Sequence, residues 1–519
     1  MRFLGENGTF TTIAKKASET TDFLPVHLQF EKVTFSHPDK VALIDGAGKA
    51  MSYAQLLEQV YHLSALLLDK GVKKGDVVAF RSSHNSNLIV GILGILGAGG
   101  VMLPISLEMP NEMVSAQLED CKVRFILTEN GAVSPETKGF VQIQMNVPFT
   151  PVNGSFKLLS GKHAYIIYTS GSSGKPKGVR VSHMGIANLC HWYREFCHIG
   201  PSSRTLIMIP FTSDAMYKNI FGTLCSGGTL VMSDKAGYHP LRILKRIQDE
   251  QITHINCVPR AIYQVLYLAS RNEYKGLNSL KALILGGETI NPAHLADWFQ
   301  KKESSCSLYN MYGPTECTDI SIATQLKHSQ LTAGTSIPIG KPIQGMKAYI
   351  VNDDGVLHPN GRKGELWISG VGVTHGYINN HILTAHNFIP DPFSEKETVY
   401  KTGDLCSRDE NGNIYFHGRI DRQIKIKGFR VELEEIEFRL KEVQGVLQAV
   451  VLPTKANGEI DKLKAFVVME DELKMDVVRL QIHLMKYLPK YMIPNIIVQI
   501  DSIPIASNGK TDFKQLAMN

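Results

Sequence analysis

Apolar residues recur at helical spacing over residues 51–69, MSYAQLLEQVYHLSALLLD, and this pattern predicts an amphipathic helix. A turn and a strand are predicted over 73–82, and a further strand over 122–129. Helices and strands alternate in this way to about residue 345. Such alternation is typical of an α/β fold with a mostly parallel sheet and covering helices.

The most apolar stretch, LIVGILGILGAGGVMLPI over 88–105, contains five glycines and a proline near its end. This composition favours a buried helix that leads into a strand over a membrane span. We therefore expect no transmembrane segment here.

The pattern changes near residue 346. Short predicted strands, MKAYIVNDDGV, GELWISG and GNIYFHGR, are separated by turns and indicate a small β-rich subdomain. Beyond 418–422, two amphipathic helices (431–443 and 477–488) and two strands (447–453 and 463–469) predict a separate small α+β domain.

Composition narrows the class of protein. The chain has 519 residues, 43% of them hydrophobic and 20% charged, which is typical of a globular protein with two or more domains. Its net charge of +6 is not concentrated in a basic block, which argues against nucleic-acid binding. The eight cysteines are scattered without a Cys-x-x-Cys pair, and residues 1–22 lack the apolar core of a signal peptide. We expect a cytoplasmic protein with reduced cysteines.

Residues 168–179 read YTSGSSGKPKGV and are typical of a phosphate-binding loop. Glycines let backbone N–H groups converge, while hydroxyl and lysine side chains add donors and positive charge. The Walker pattern is not met, because Gly174-Lys175 is followed by Pro176. The alternative is a flexible surface loop.

The loop resembles the signature of the adenylate-forming superfamily, which contains acyl-CoA synthetases, luciferases and peptide-synthetase adenylation domains. YGPTE (312–316), GELWISG (364–370), YKTGDL (400–405), GRIDRQIKIKGFRVELEEIE (418–437) and NGKTD (508–512) occur in that family's order. The resemblance covers nearly the whole chain and is closest to the peptide-synthetase branch. It implies an adenylation core over 1–417, a hinge over 418–421 with Asp421 as the hinge residue, and a mobile domain over 422–519.

The resemblance also implies an ATP and Mg²⁺ site. ATP phosphates would be held by Thr169, Ser170, Gly171, Ser172, Ser173, Gly174, Lys175 and Lys177. Adenosine would be bound by Gly286, Gly287, Glu288, Asn310, Met311, Tyr312, Gly313, Asp404 and Arg419. The catalytic residues would be Thr315 as a phosphate donor, Glu316 as the Mg²⁺ ligand and Lys510 as the bridge between substrate carboxylate and nucleotide. The alternatives are a helix-terminal charge at Glu316 and a solvated lysine at Lys510.

The acid to be activated is indicated by Asp214, which falls on the family's aspartate for a substrate α-ammonium group. The local text, Ser213-Asp214-Ala215-Met216, departs from the usual Phe-Asp-x-Ser, and a turn or cap aspartate is the alternative. The implied acyl pocket contains Asp214, Ala215, Lys218, Cys257, Leu283, Leu285, Met311, Asp319 and Ile320. A free Lys218 would favour an acidic or polar substrate, whereas pairing with Asp319 would leave a small or modest neutral one.

The resulting hypothesis is an amino-acid adenylating enzyme that loads a separate carrier protein. No phosphopantetheine attachment motif follows Lys510, so we expect a stand-alone enzyme. The alternatives are an acyl- or aryl-CoA synthetase and a non-catalytic relative that binds nucleotide.

Overall fold

Helices and strands follow the predicted pattern through most of the chain. The computed structural model describes residues 2–4, 10–12, 23–129, 139–145, 156–171, 175–233, 238–301, 306–332, 335–426, 428–456, 459–470, 475–505 and 511–518. The strands are β1 (Arg2–Leu4), β2 (Phe10–Thr12), β3 (Val41–Ile44), β4 (Ala50–Ser52), β5 (Val77–Arg81), β6 (Val101–Pro104), β7 (Phe125–Thr128), β8 (Val141–Gln144), β9 (His163–Thr169), β10 (Lys177–Ser182), β11 (Arg204–Ile207), β12 (Thr229–Met232), β13 (His254–Cys257), β14 (Ala282–Gly286), β15 (Ser307–Tyr312), β16 (Ile322–Leu326), β17 (Lys341–Pro342), β18 (Met346–Val351), β19 (Gly364–Gly370), β20 (Phe388–Pro390), β21 (Thr398–Arg408), β22 (Ile414–Arg419), β23 (Ile424–Ile426), β24 (Phe429–Val431), β25 (Val446–Ala456), β26 (Glu459–Met469) and β27 (Ile496–Gln499). The helices are α1 (Val26–Ser36), α2 (Tyr53–Asp69), α3 (Ser86–Gly97), α4 (Asn111–Asp120), α5 (His183–Phe196), α6 (Ala215–Leu224), α7 (Pro240–Asp249), α8 (Pro259–Ser270), α9 (Ala296–Lys301), α10 (His381–Asn387), α11 (Leu433–Lys441), α12 (Val477–Tyr487) and α13 (Phe513–Met518).

The helix predicted over 51–69 is α2. It begins at a capping box, in which the Ser52 hydroxyl accepts from the Gln55 N–H and the Gln55 side chain accepts from the Ser52 N–H. The apolar stretch over 88–105 forms the buried helix α3 and the strand β6, as predicted. Within the described ranges, every helix is too short or too polar to cross a bilayer.

Two large sheets form the first part of the chain. One has six strands in the order β10-β9-β6-β5-β7-β8, and the other has nine in the order β17-β16-β15-β14-β13-β11-β12-β3-β4. The central strands of the second sheet, from β15 through β13 and β11 to β3, run parallel to one another. The predicted α/β fold is therefore confirmed.

The nine-stranded sheet carries a separate apolar core on each face. Ile284 and Met311 belong to the large core that also contains Met216 and Tyr217 of α6. Leu283, one residue from Ile284, packs in the other core. Successive side chains of a strand point to opposite faces, so each position in β13, β14 and β15 is committed to one core.

Smaller sheets follow. β18, β19, β20, β21 and β22 form a five-stranded antiparallel sheet, which is the predicted β-rich subdomain. β23 and β24 form a hairpin, and β25, β26 and β27 form a three-stranded sheet. α11 and α12 pack with this last sheet around a core of their own, which runs from Ile426 to Ile497.

Candidate active site

Several of the predicted site residues follow the carboxyl ends of parallel strands. Glu288 follows β14, Glu316 follows β15, and Asp214 lies in the segment after β11. Because β11, β13, β14 and β15 are parallel neighbours, these ends meet at one edge of the sheet. Ligands of open α/β sheets bind at such an edge.

The predicted ribose site is a cluster of charged and phenolic groups. Asp404 on β21 lies opposite Arg419 at the end of β22. Arg419 Nη1 donates to Asp404 Oδ1 over 2.7 Å, and the Tyr312 hydroxyl donates to Asp404 Oδ2. The same guanidinium donates through Nε to Asp421 Oδ1 over 2.6 Å. Arg419 therefore connects the predicted ribose carboxylate to the predicted hinge residue.

The glycine-rich loop joins the antiparallel strands β9 and β10. Thr169 Oγ1 is buried and has no hydrogen-bond partner among the described residues, which leaves a donor for a ligand. The Ser170 hydroxyl donates to the Arg430 carbonyl over 3.0 Å, and the Gly171 N–H donates to Glu435 Oε2 over 3.2 Å. Lys175 is exposed. Ser172, Ser173 and Gly174 of the loop, and the predicted catalytic Lys510, lie outside the described residues.

Lys177 is buried beneath the loop. Its Nζ lies 3.8 Å from both Glu316 Oε1 and Glu432 Oε1 and 5.1 Å from the centre of the Tyr377 ring. Burial and the neighbouring Arg430 lower the pKa of Lys177 to about 8, although the two glutamates oppose this. In this conformation, Lys177 therefore neutralises carboxylates, while its role toward phosphate remains a prediction.

Glu316, the predicted Mg²⁺ ligand, is fully buried. Arg430 Nη1 lies 3.0 and 2.9 Å from its two carboxylate oxygens, and the Tyr377 hydroxyl donates to Oε1 over 2.8 Å. Burial by itself raises the pKa of Glu316, but Arg430 and Lys177 outweigh it and bring the value down to about 2. Both oxygens are thus held by Arg430 in this conformation, so Arg430 would have to withdraw before a metal ion could bind there.

The hairpin of β23 and β24 brings Arg430 to the site. Its Gly428 has a φ of +82° and donates its N–H to Glu288 Oε1 over 2.9 Å. A Cβ at Gly428 would lie 2.4 Å from Val258 Cγ1, so the hairpin backbone lies directly against the loop after β13. The hairpin lies within the motif over 418–437, as do Glu432 and Glu435, but the motif alone does not identify these two glutamates as site residues. Tyr377 lies outside every motif.

Asp214 lies at the N-terminus of α6 and is 8% exposed. Its Oδ1 accepts from the Ala215 N–H over 3.0 Å, and its Oδ2 has no hydrogen-bond partner within the described residues. Burial, reinforced by the nearby Asp319 carboxylate, raises the pKa of Asp214 to about 7. The Thr315 hydroxyl and Lys218 act in the opposite direction and lower this pKa, but by less. A buried carboxylate with an unused oxygen suits a cationic ligand.

Three residues of the predicted pocket pack in a different core from the others. Cys257, Leu283 and Leu285 lie in the core on the far face of the nine-stranded sheet, away from α6. Their assignment to the acyl pocket stays a prediction, which these contacts do not support. The near-face positions are Asn256, which accepts from Asn219 of α6 over 3.1 Å, and Ile284.

Asn310 lies on β15, where it registers with Leu285 of the neighbouring strand. Its Nδ2 donates to the Pro338 carbonyl over 2.8 Å, which fixes the side chain in place. Its role in nucleotide binding stays a prediction. Met311, the next residue, lies on the face of α6.

Comparisons with known proteins agree with the predicted family. The model of the AMP-binding enzyme family matches residues 30–378. Zwittermicin A synthase ZmaJ of Bacillus cereus is 34% identical over 499 residues, which are 94% of this chain and 94% of that protein. Gramicidin S synthase 2 of Aneurinibacillus migulanus is 35% identical over 500 residues, which are 94% of this chain but 11% of that much longer protein. Among solved structures, holo-PA1221, a nonribosomal peptide synthetase protein with adenylation and PCP domains bound to a vinylsulfonamide inhibitor, superposes with a TM-score of 0.85 at 25% identity, covering 96% of this chain and 85% of that one.

Proposed function

The chain belongs to the AMP-binding enzyme family and is an ATP-dependent, AMP-forming ligase similar to the adenylation domains of nonribosomal peptide synthetases, and we propose that its substrate is an amino acid. The observation that carries this proposal is Asp214. Its buried carboxylate, with Oδ2 unused among the described residues, is placed to bind an α-ammonium group. A fatty or aryl acid would leave that carboxylate without a cation, at the cost of an unpaired buried charge.

In the proposed first step, an oxygen of the substrate carboxylate attacks the α-phosphorus of ATP. The bond from that phosphorus to the pyrophosphate oxygen breaks, and pyrophosphate leaves. The chain's own residues position the reactants: Asp214 holds the ammonium group, Asp404 and Arg419 hold the ribose, and Lys510 bridges the two anionic partners. Alignment and charge neutralisation are the main contributions that such a reaction needs from a protein.

Glu316 would hold the Mg²⁺ ion. Within the described ranges, His, Cys, Asp and Glu residues form no group of three that could bind a metal, so the phosphates and water would supply the other ligands. Mg²⁺ is commonly bound by one or two carboxylates and substrate phosphates, which fits a single buried glutamate. The ion would neutralise phosphate charge during adenylation.

In the proposed second step, the sulfur of a phosphopantetheine thiol attacks the acyl carbonyl carbon and gives up its proton to solvent. The bond from that carbon to the phosphate oxygen breaks, and AMP leaves. A carrier protein is the proposed acceptor, since a related solved protein has adenylation and PCP domains. The hairpin of β23 and β24 contacts Glu288 and Glu316. This contact supports a conformation distinct from the one that binds Mg²⁺ and ATP. Rotation about Asp421 would exchange Arg430 for Lys510 at the site.

The proposal is tested by ATP–pyrophosphate exchange with L-, D- and β-amino acids, aryl acids and fatty acids. We expect exchange with an amino acid and its loss in Asp214→Ala. The matched control is Asp354→Asn, an exposed carboxylate in the β-rich subdomain, which should leave exchange unchanged. Exchange with aryl or fatty acids alone would refute the amino-acid substrate and favour the alternative of an acyl- or aryl-CoA synthetase, whose thiol acceptor this assay does not test.

A further inference from the structure

Lys218 and Asp319 form an ion pair deep in the proposed amino-acid site. Lys218 Nζ donates to Asp319 Oδ2 over 2.7 Å and to the Ala215 carbonyl over 3.0 Å. The ammonium group also lies 6.0 Å from the centre of the Tyr193 ring. Two hydrogen bonds and a nearby aromatic face thus engage the ammonium group, and its charge is already paired with the Asp319 carboxylate.

The neighbouring polar groups are satisfied as well. The Tyr193 hydroxyl donates to Asn219 Oδ1 over 2.8 Å, and the Asn219 amide donates to Asn256 Oδ1 over 3.1 Å. The Asn256 amide in turn donates to the Ile284 carbonyl over 3.2 Å. A closed network of this kind is fixed in place, because breaking it would leave buried groups unpaired.

Solvent exposure shows how little room lies beyond Asp214. Lys218 is 1% exposed, Met311 2%, Asn256 5% and Asp319 6%. Side chains that lined an open cavity would be accessible to water, so these four form a packed wall. Ala215 and Gly286 are partly exposed and leave space for a small group.

The balance of charges in the site also favours a small substrate side chain without a charge. The side chains of the large domain supply two carboxylates, Asp214 and Asp319, while Lys218 and a substrate α-ammonium group supply two positive charges. Lys425 of the docked hairpin adds a positive charge near Asp404 and Asp214 in this conformation. An acidic or basic substrate side chain would leave an unbalanced charge in a site whose large-domain charged residues are at least nine-tenths buried.

On the basis of the proposed function, we propose that the Lys218–Asp319 pair closes the pocket beyond the α-carbon and restricts the enzyme to amino acids with small, uncharged side chains, such as glycine, alanine or serine. The pair is a specificity determinant that does not itself contact the reacting atoms.

The test is ATP–pyrophosphate exchange with glycine, L-alanine, D-alanine, L-serine, L-aspartate, L-glutamate and L-lysine. We expect the best small neutral amino acid to exceed the charged ones by about tenfold or more in kcat/KM. Asp319→Asn should reduce this preference toward aspartate and glutamate by a similar factor, because it frees the Lys218 ammonium. Asparagine suits the left-handed φ of +65° at position 319.

The matched control is Asp354→Asn, which should leave the selectivity unchanged. The double variant Lys218→Met with Asp319→Asn removes both charges at nearly constant volume and serves as a second test if Asp319→Asn alone does not fold. Because it has no free ammonium group, it should not gain activity toward aspartate or glutamate. A wild-type preference for aspartate or glutamate would overturn the inference. So would a folded Asp319→Asn variant with unchanged selectivity, or a folded double variant that gains aspartate or glutamate. Exchange with aryl or fatty acids alone would instead refute the proposed function and remove the premise.

Discussion

Replacing Arg430 with methionine should separate the two half-reactions. The substitution keeps an unbranched side chain but removes the guanidinium whose Nη1 lies 3.0 and 2.9 Å from the oxygens of the buried Glu316. Removing one partner of a buried ion pair costs roughly 3 to 5 kcal/mol. We take the lower value, because Lys177 remains 3.8 Å from Glu316. About 3 kcal/mol corresponds to a loss of roughly 100-fold in the equilibrium constant for docking of the hairpin.

Adenylate formation should be unaffected, since Glu316 must be free of Arg430 when it binds Mg²⁺. The assays are ATP–pyrophosphate exchange for the first step and transfer of a labelled amino acid to pantetheine for the second. Transfer should fall by up to about 100-fold while exchange is retained. Arg479→Met, on the exposed side of α12, is the control for a charge lost from the same domain. An equal loss in both assays, or unchanged transfer by the folded variant, would refute the reasoning.

Three further predictions follow from single residues. Since an ammonium group binds the ionised form of Asp214, whose pKa is about 7, kcat/KM for the amino acid should fall about tenfold per pH unit below that value; a flat exchange profile between pH 5 and 8 would contradict this. Gly428→Ala should impair transfer to pantetheine but not exchange, because the new Cβ would lie 2.4 Å from Val258 Cγ1 at a φ of +82°; adding Val258→Ala should restore part of the transfer rate. Lys510→Ala should abolish exchange, while ATP binding, measured by calorimetry, is largely kept. The control Lys514→Ala, at an exposed position four residues further along the chain, should be active. Full activity of Lys510→Ala would overturn the role assigned to Lys510.

The hydrophobic pattern was sufficient for the elements and the fold class. Apolar residues at helical spacing predicted α2, and the change to short strands near residue 346 predicted the β-rich subdomain. Both are local signals, because amphipathic periodicity reports on the burial of one face by nearby sequence. Motifs in order along the chain then indicated the family, which the comparisons confirm.

The side of a strand on which a residue lies was decided by tertiary structure. The family resemblance implies that Cys257, Leu283 and Leu285 belong to the acyl pocket, and in this structure they pack on the opposite face from α6. A shift of one position along a strand reverses the face of every side chain, and no local signal identifies the face here, because both faces of this central sheet are apolar.

The pairing of charged residues that are distant in the chain likewise could not be predicted from the sequence. Lys218 and Asp319 are separated by 101 positions, and the sequence left open whether they contact each other or a substrate. Arg430 and Glu316, 114 positions apart, meet because the β23–β24 hairpin lies over the end of the large sheet. The chemistry of each charge was readable from its residue type, but its partner depends on which loops the fold brings together and on the cost of leaving a buried charge alone.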